Sequence, residues 1–250
     1  MAIVETEGLI LKSYSLSEAD KIVVLLTQKE GLVRGVAKGA KRLKSRFGGS
    51  LEPFSIVDIT YFQKEERELV SITQIELIKS FFDIAGDPIF LQKFAYLSEL
   101  LANFAPPHDP NERLYRMAKI CLETAAASQQ TLESIALYFE LWVLRLGGYL
   151  PDWNVCDNCK TQIGSDEKTN LQINFHLQCQ RCQKSKSGLI ISPVQREIFL
   201  SAQRLSPIKF AETAAQSTAD VRAVSTVLKR VITHILGKEL PDEKFLIANT

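Results

Sequence analysis

Over the first eighty residues, apolar positions come in short runs or alternate with polar ones. Residues 3–13, 20–28, 31–38, 51–63 and 68–78 are rich in Val, Ile, Leu, Thr and Phe. Two examples are Lys21-Ile-Val-Val-Leu-Leu-Thr27 and Phe54-Ser-Ile-Val-Asp-Ile-Thr-Tyr-Phe62. Period-two alternation bounded by turn residues predicts strands, with breaks at Ser13–Asp20, Lys29–Gly31, Gly35–Gly49 and Gln63–Arg67. Five short strands with one long connection after the third suit a Greek-key barrel of the OB type. On pattern alone a five-stranded SH3-like barrel is compatible too.

From Pro88 the period changes. Ile89, Phe90, Phe94, Leu97, Leu100, Leu101 and Phe104 recur every three or four residues, an amphipathic helix stopped by Pro106-Pro107. Asp109-Pro110 opens a second helix through Leu114, Met117, Ile120, Cys121 and Ala125, with Cys121 a small core residue. A third runs from Thr131 to Leu146 and stops at Gly147-Gly148. It is apolar nearly all round, as expected of a helix in the middle of a bundle. Ser192-Pro193 reads as a cap followed by proline in the first turn, opening a helix to residue 204. The last helix, about 219–236, carries Val221, Val224, Val227, Leu228, Val231, Ile232 and Ile235 and ends at Gly237. The predicted architecture is α+β: an OB-fold barrel over residues 1–80, then an all-helical domain over 81–250. An insertion at about 153–187 interrupts that domain between its third and fourth helices.

The insertion holds Cys156-Asp-Asn-Cys159 and, nineteen residues on, Cys179-Gln-Arg-Cys182. Two Cys-x-x-Cys pairs at this separation point to one structural Zn2+ held by Cys156, Cys159, Cys179 and Cys182. Four soft thiolates complete a tetrahedron, so no position is left for water or substrate. The competing readings are a redox pair or two disulfides, and His176, three residues before Cys179, is an alternative ligand but reads as a bystander. The loop between the pairs, Lys160–Gln178, is too polar to hold itself by apolar burial. Metal binding is therefore expected to supply most of its folding free energy.

Charge changes the picture within the barrel. The whole chain carries a net charge of only +1, and residues 1–80 hold twelve Lys and Arg against eleven Asp and Glu. Half of those cations, Arg34, Lys38, Lys41, Arg42, Lys44 and Arg46, sit in thirteen residues without an acid. Gly35, Gly39, Gly48 and Gly49 let the backbone approach a polyanion, and Phe47 offers a ring for stacking on a base. Such a strip on a barrel predicts phosphate binding with a steep salt dependence. A solvated surface loop is the plainer reading of any charge run.

Composition is ordinary, 46% hydrophobic and 24% charged. No apolar run reaches the ~18 residues of a membrane span, and the N-terminus lacks a signal-peptide pattern. With thiols in metal spacing, this predicts a reduced, cytoplasmic protein. No phosphate loop, dinucleotide fingerprint or nucleophile elbow is present. His108, His176 and His234 stand apart from any nucleophile, so catalysis and a small-molecule substrate are not expected. Two other classes stay open: a zinc-ribbon adaptor or transcription-associated factor that binds protein alone, and a metal-dependent nuclease. The second would need carboxylates such as Glu65, Glu66 and Glu68, which read as a solvated turn.

Beyond these patterns lies a resemblance. Thr6-Glu-Gly-Leu-Ile-Leu-Lys12, Tyr14, Glu18-Ala-Asp20, Leu26-Thr27, Gly31, Val36-Ala-Lys-Gly-Ala-Lys-Arg42, Lys44-Ser-Arg46 and Leu51-Glu-Pro-Phe54 resemble the N-terminal domain of the RecO family of bacterial recombination mediators. The resemblance continues through Leu146-Gly-Gly-Tyr-Leu-Pro151, both cysteine pairs and His234-Ile-Leu-Gly-Lys-Glu-Leu240, covering essentially the whole chain. It weakens after Leu240, where the family tends to a basic residue and serine and this chain has Pro241-Asp242. It implies an OB fold, a helical C-terminal domain, binding of single- and double-stranded DNA (ssDNA and dsDNA), and annealing of complementary strands. It further implies action with RecR, contact with the C-terminal tail of the single-strand binding protein SSB, loading of RecA, and work at the nucleoid. Family members that lack the cysteines imply a supporting role for the metal.

Overall fold

The structure is a computed structural model that describes residues 2–63, 68–183 and 188–240, apart from the side chains of Phe82 and Ala85. The Gln63–Arg67 turn beyond Gln63, with Glu65 and Glu66, lies outside the described residues, as does the tail from Pro241. By its contacts the chain divides into two compact units, one of Met1–Ala126 together with the residues from Leu240, the other of Ala127–Glu239.

In the first unit, β1 (Ala2–Ser15), β2 (Lys21–Thr27), β3 (Gly31–Ala37), β4 (Ser55–Gln63) and β5 (Leu69–Ser80) close a barrel in the order β1-β2-β3-β5-β4. The first half of β1 pairs with β4 and the second half with β2. A shift between Ile10 and Lys12 lets this one long strand turn the corner. β3 and β5 pair in parallel through Arg34↔Leu69, Gly35↔Val70 and Val36↔Ser71, which closes the sheet. This connectivity is that of the OB fold, and it decides between the two barrels that the strand pattern allowed. Gly35 is required at the seam: a Cβ there would stand 2.7 Å from the Ile72 side chain. The interior is filled by Ile10, Val23, Leu25, Val33, Val57, Ile59, Tyr61, Val70 and Ile72.

Three helices complete this unit: α1 (Phe82–Ala85), α2 (Pro88–Phe104) and α3 (Glu112–Ala127, whose last residue falls just past the division). Asp87 caps α2, accepting from the Ile89 N–H at 2.8 Å, ahead of proline in the first turn. α3 opens two residues later than the Asp109-Pro110 signal suggests, because Asn111 caps it, taking the Leu114 N–H at 3.0 Å. Phe94 of α2 meets Phe54 edge to face, and on α3 Tyr115 and Lys119 both reach Glu7 of β1.

The second unit is built around α4 (Leu132–Leu146). It packs against α5 (Pro193–Arg204), α6 (Pro207–Ala214) and α7 (Thr218–Leu236). Burial on nearly every side follows the all-round apolar pattern, with Ser134 and Glu140 as polar exceptions: Glu140 is fully buried and accepts from the Ser225 hydroxyl at 2.7 Å. Ser192 and Gln195 form a reciprocal capping box at the start of α5. The insertion between α4 and α5 is not irregular throughout. Short strands β6 (Thr169–Leu171), β7 (Leu177–Gln178) and β8 (Leu189–Ile191) form a three-stranded sheet, in the order β7-β6-β8. Strands of two or three residues are too short for alternation to register. Among the described residues no helix is long and apolar enough to cross a membrane.

Candidate functional site

The basic segment forms the connection from β3 to β4. Leaving β3, Gly39 takes a left-handed φ of +74° and donates its N–H to the Asp20 carboxylate at 2.8 Å. The Lys41 N–H donates to Ala19 O at 2.9 Å and its ammonium to Ser17 O at 3.2 Å. The loop is thus fastened to the turn between β1 and β2. Successive tight turns follow, with Arg42 N to Gly39 O, Ser45 N to Arg42 O and Gly48 N to Ser45 O. Phe54, at φ +64°, donates to Ile10 O and returns the chain to β4.

Phe47 does not serve as an exposed stacking ring. It is 1% exposed and, with Leu51, plugs the end of the barrel core. A single aromatic in a polar, glycine-rich run marks the point where the loop is pinned, which the sequence leaves ambiguous. Pinning the loop by its apolar residues turns its cations outward. Arg34, Lys38, Lys41, Arg42, Lys44 and Arg46 are all exposed, and none forms an ion pair among the described residues. Arg46 lies over the Phe47 ring at 4.8 Å, which leaves its charge available. Two acids beside the loop are already engaged, Asp20 by the Gly39 N–H and Glu52 by Lys21 at 3.3 Å.

The barrel is electrically polarised along β2. At the Lys21 end lies the basic loop. Beyond the Thr27 end, a cleft of about 510 Å³ is lined by Glu5, Asp58 and Glu76, by Glu7, which Lys119 neutralises, and by Lys29. A polyanion is therefore attracted to one end of the barrel and repelled from the other.

In the second unit the four cysteine sulfurs lie within 4.8 Å of one another, and Cys159 and Cys179 are 3.8 Å apart. Four Zn–S bonds of about 2.3 Å in a tetrahedron put sulfurs about 3.8 Å from each other, so the donor set fits a single zinc-sized ion. The cysteines are free, which removes the disulfide reading, and His176 is not part of the cluster. Each pair sits on a knuckle. Lys160 N returns to Cys156 O and Cys156 N to Thr161 O, while Cys182 N and Gln183 N return to Cys179 O. Burial opposes ionisation of Cys156, but N–H groups of Cys159, Cys179 and Asn158 outweigh it and hold the thiol below its ordinary range. The Thr161 hydroxyl and N–H bring Cys159 down to about 6, whereas burial pushes Cys179 up to about 11.

Among the described residues that tie this segment to the helices, two do not stand out in the sequence. Trp153 is fully buried, stacks on Phe199 of α5 with ring centroids 4.1 Å apart, and donates its indole N–H to Phe175 O. Arg196, three residues before Phe199 on the same helix, is 4% exposed and donates to the carbonyls of Gly164 and Ser165. An arginine on the apolar stripe of α5 is the only sequence signal for it.

Residues 1–81 match the family profile described as recombination protein O N terminal, and residues 93–244 match recombination protein O C terminal. The chain belongs to the recombination protein O family. Similar proteins named DNA repair protein RecO bear this out across different spans. That of Syntrophus aciditrophicus is 26% identical over 97% of this chain and 94% of its own length. The protein of Koribacter versatilis is 31% identical over 64% of each chain. That of Caldanaerobacter subterraneus subsp. tengcongensis is 37% identical, again over 64% of each. The chain thus spans just under two thirds of the last two relatives and nearly all of the first. Recombination protein O thus names both the barrel half and the helical half that carries the cysteine cluster.

Proposed function

We propose that this RecO-family chain acts in DNA repair and homologous recombination as a mediator that handles strands without breaking bonds. Phosphates of one or two strands rest on Arg34, Lys38, Lys41, Arg42, Lys44 and Arg46, which neutralise charge without reading bases. Two strands with their repulsion reduced pair faster, and no covalent step or nucleotide hydrolysis is needed. Working with RecR, the protein helps RecA onto ssDNA coated by SSB, whose C-terminal tail it contacts. It works in the cytoplasm at the nucleoid. Cys156, Cys159, Cys179 and Cys182 hold one zinc ion as a staple for the helical unit. The observation that carries this reading is the run of exposed cations without acidic partners, held on one end of the barrel by a buried Phe47.

The test is binding and annealing of short labelled complementary strands over a range of salt, comparing the native chain with Lys41→Ala/Arg42→Ala/Lys44→Ala. The native protein binds ssDNA with a steep salt slope and speeds annealing without ATP. The triple variant loses roughly 2 units of slope in log affinity against log salt, at about 0.7 per phosphate contact. Equal affinity of the two proteins at moderate salt would remove the loop from the interface. Indifference of the native protein to DNA at low salt would favour a zinc-ribbon adaptor instead.

A further inference from the structure

The burial of Phe47 leaves the basic loop without an aromatic of its own, yet the barrel supplies one beside it. In the sheet register Tyr14 of β1 stands opposite Ile22 of β2, and Ile22 opposite Val36 of β3. Residues directly opposed share a face, and successive residues alternate. Val23 belongs to the interior, so Tyr14, Ile22 and Val36 lie on the outer side of the sheet, where Ile22 is covered (9% exposed), Val36 is half-buried and Tyr14 reaches the surface. Tyr14 is 47% exposed, and among the described residues its ring and hydroxyl make no hydrogen bond or ring contact. The neighbouring row of the same face runs Lys12, Val24, Arg34: Lys12 is neutralised by Glu99 of α2 at 2.6 Å, and Arg34 brings one of the unpaired cations alongside.

Tyr14 also leads directly into the turn that anchors the basic loop. Leu16 N closes that turn on Asp20 O at 3.0 Å, and Lys41 bonds to Ser17 O and Ala19 O within it. Ring and cations therefore share one rim of the barrel, the strand 2–3 face and first loop that OB folds present to oligonucleotides. A face combining uncompensated positive charge with an open aromatic over an apolar floor complements a polyanion that also exposes base faces. Single-stranded nucleic acid has both. A duplex offers the phosphates but keeps its bases stacked on one another.

We propose that Tyr14 is the stacking platform of this interface, packing on an unpaired base of a strand whose phosphates lie on the basic loop, with Ile22 and Val36 as floor. The inference rests on the DNA-binding reading above and adds a preference for ssDNA over duplex. The loop supplies affinity for any phosphate backbone, and the ring supplies the discrimination.

Anisotropy of labelled oligothymidylate, of an abasic strand of equal length and of a duplex tests this on the full chain, with Tyr14→Ala and Tyr14→Phe. Base–aromatic stacking is worth about 1–3 kcal/mol per base, so Tyr14→Ala should bind oligothymidylate roughly fivefold or more weakly. Its affinity for the abasic strand and the duplex, its salt slope and its melting temperature should stay as in the native protein. Tyr14→Phe should restore binding. The proposal is overturned if Tyr14→Ala binds oligothymidylate as tightly as the native chain, or weakens all three ligands equally. If the native chain binds no DNA at all, the function proposed for the loop fails first, and that result is distinct from failure of the ring.

Discussion

The basic loop of the barrel unit and the cysteine segment of the helical unit solve one problem in opposite ways. Each is a polar stretch of about twenty residues that must hold a shape without much apolar surface of its own. The basic loop pushes two apolar residues, Phe47 and Leu51, into a core that exists without it, and hydrogen-bonds its backbone to the β1–β2 turn. Its charges are then free for a ligand. In the cysteine segment the polar ligands themselves are gathered inward, four sulfurs within 4.8 Å, and the order depends on what they hold. The loop offers its charges on a self-sufficient support, whereas the segment gathers four thiols that could hold a metal.

That contrast breaks most visibly on metal removal. Binding to structural zinc sites contributes apparent free energies of about 10 kcal/mol or more near neutral pH, and this is folding free energy. Cys156→Ser/Cys159→Ser, or a strong chelator, should abolish the cooperative melting of the helical unit and release one zinc per chain, measured by calorimetry and metal analysis. Binding of ssDNA to the barrel should survive. Lost DNA affinity with an unchanged melting curve would reverse the assignment and make the metal part of the interface.

The mirror experiment is Phe47→Ala. Removing a buried ring costs about 3–5 kcal/mol. Here the loss falls on the barrel and frees the loop, so chemical denaturation should show a lower midpoint for the first unit while zinc stays bound. A surface ring used only for stacking would have changed DNA affinity at constant stability.

These two segments were unequally legible. The cysteine spacing points directly to the four thiols that the fold brings together, because a metal site fixes both residue type and separation. The six cations were equally plain, since a run without acids keeps its charge wherever the backbone goes. Phe47 was not, because one ring among glycines fits a plug as well as a platform, and only the register and closure of the barrel decide. The same register brings Tyr14, twenty residues before Arg34, onto the face of the basic loop, which no local pattern announces. Barrel strands and long helices followed from periodicity. The short strands β6, β7 and β8, the helix α6 and the contacts of Arg196 with Gly164 and Ser165 depend on spans too short, or on partners too distant in the chain, for periodicity to reach.

A finer test lies in the first knuckle. Lys160 holds φ +56°, a left-handed conformation that costs a residue with a Cβ about 1–2 kcal/mol relative to glycine. Part of this is returned by the 2.9 Å pair with Asp157, which is exposed on the lysine side and worth little. Glycine also gives up chain entropy on folding. Lys160→Gly should therefore stabilise the metal-bound helical unit by up to about 1 kcal/mol, seen as a slightly higher melting temperature. It should leave the apo form no better ordered. Equal stabilisation with and without metal would show the knuckle to be preformed, and the contrast with the basic loop would narrow.

The smallest effect concerns how the barrel holds its own helices. Glu7 on β1 accepts from Lys119 at 2.5 Å and from the Tyr115 hydroxyl at 2.6 Å, both on α3. Burial alone would raise its pKa, but the bonds to Lys119 and Tyr115 outweigh it and hold the carboxyl below the ordinary glutamate range. A carboxylate with a depressed folded pKa contributes stability that is fully present above its unfolded pKa. That contribution is lost as pH falls through the lower, folded value. The stability of the barrel unit should be flat in this respect near neutrality and decline in acid below the usual unfolded Glu value, about 4.3. Glu7→Gln should lower stability at neutral pH and flatten the acid decline, so that the two proteins converge at low pH. The gap should stay within about 1 kcal/mol, because the pair is partly exposed and screened by water and salt. A gap that persists unchanged into strong acid would assign the loss to packing of the side chain and not to its charge.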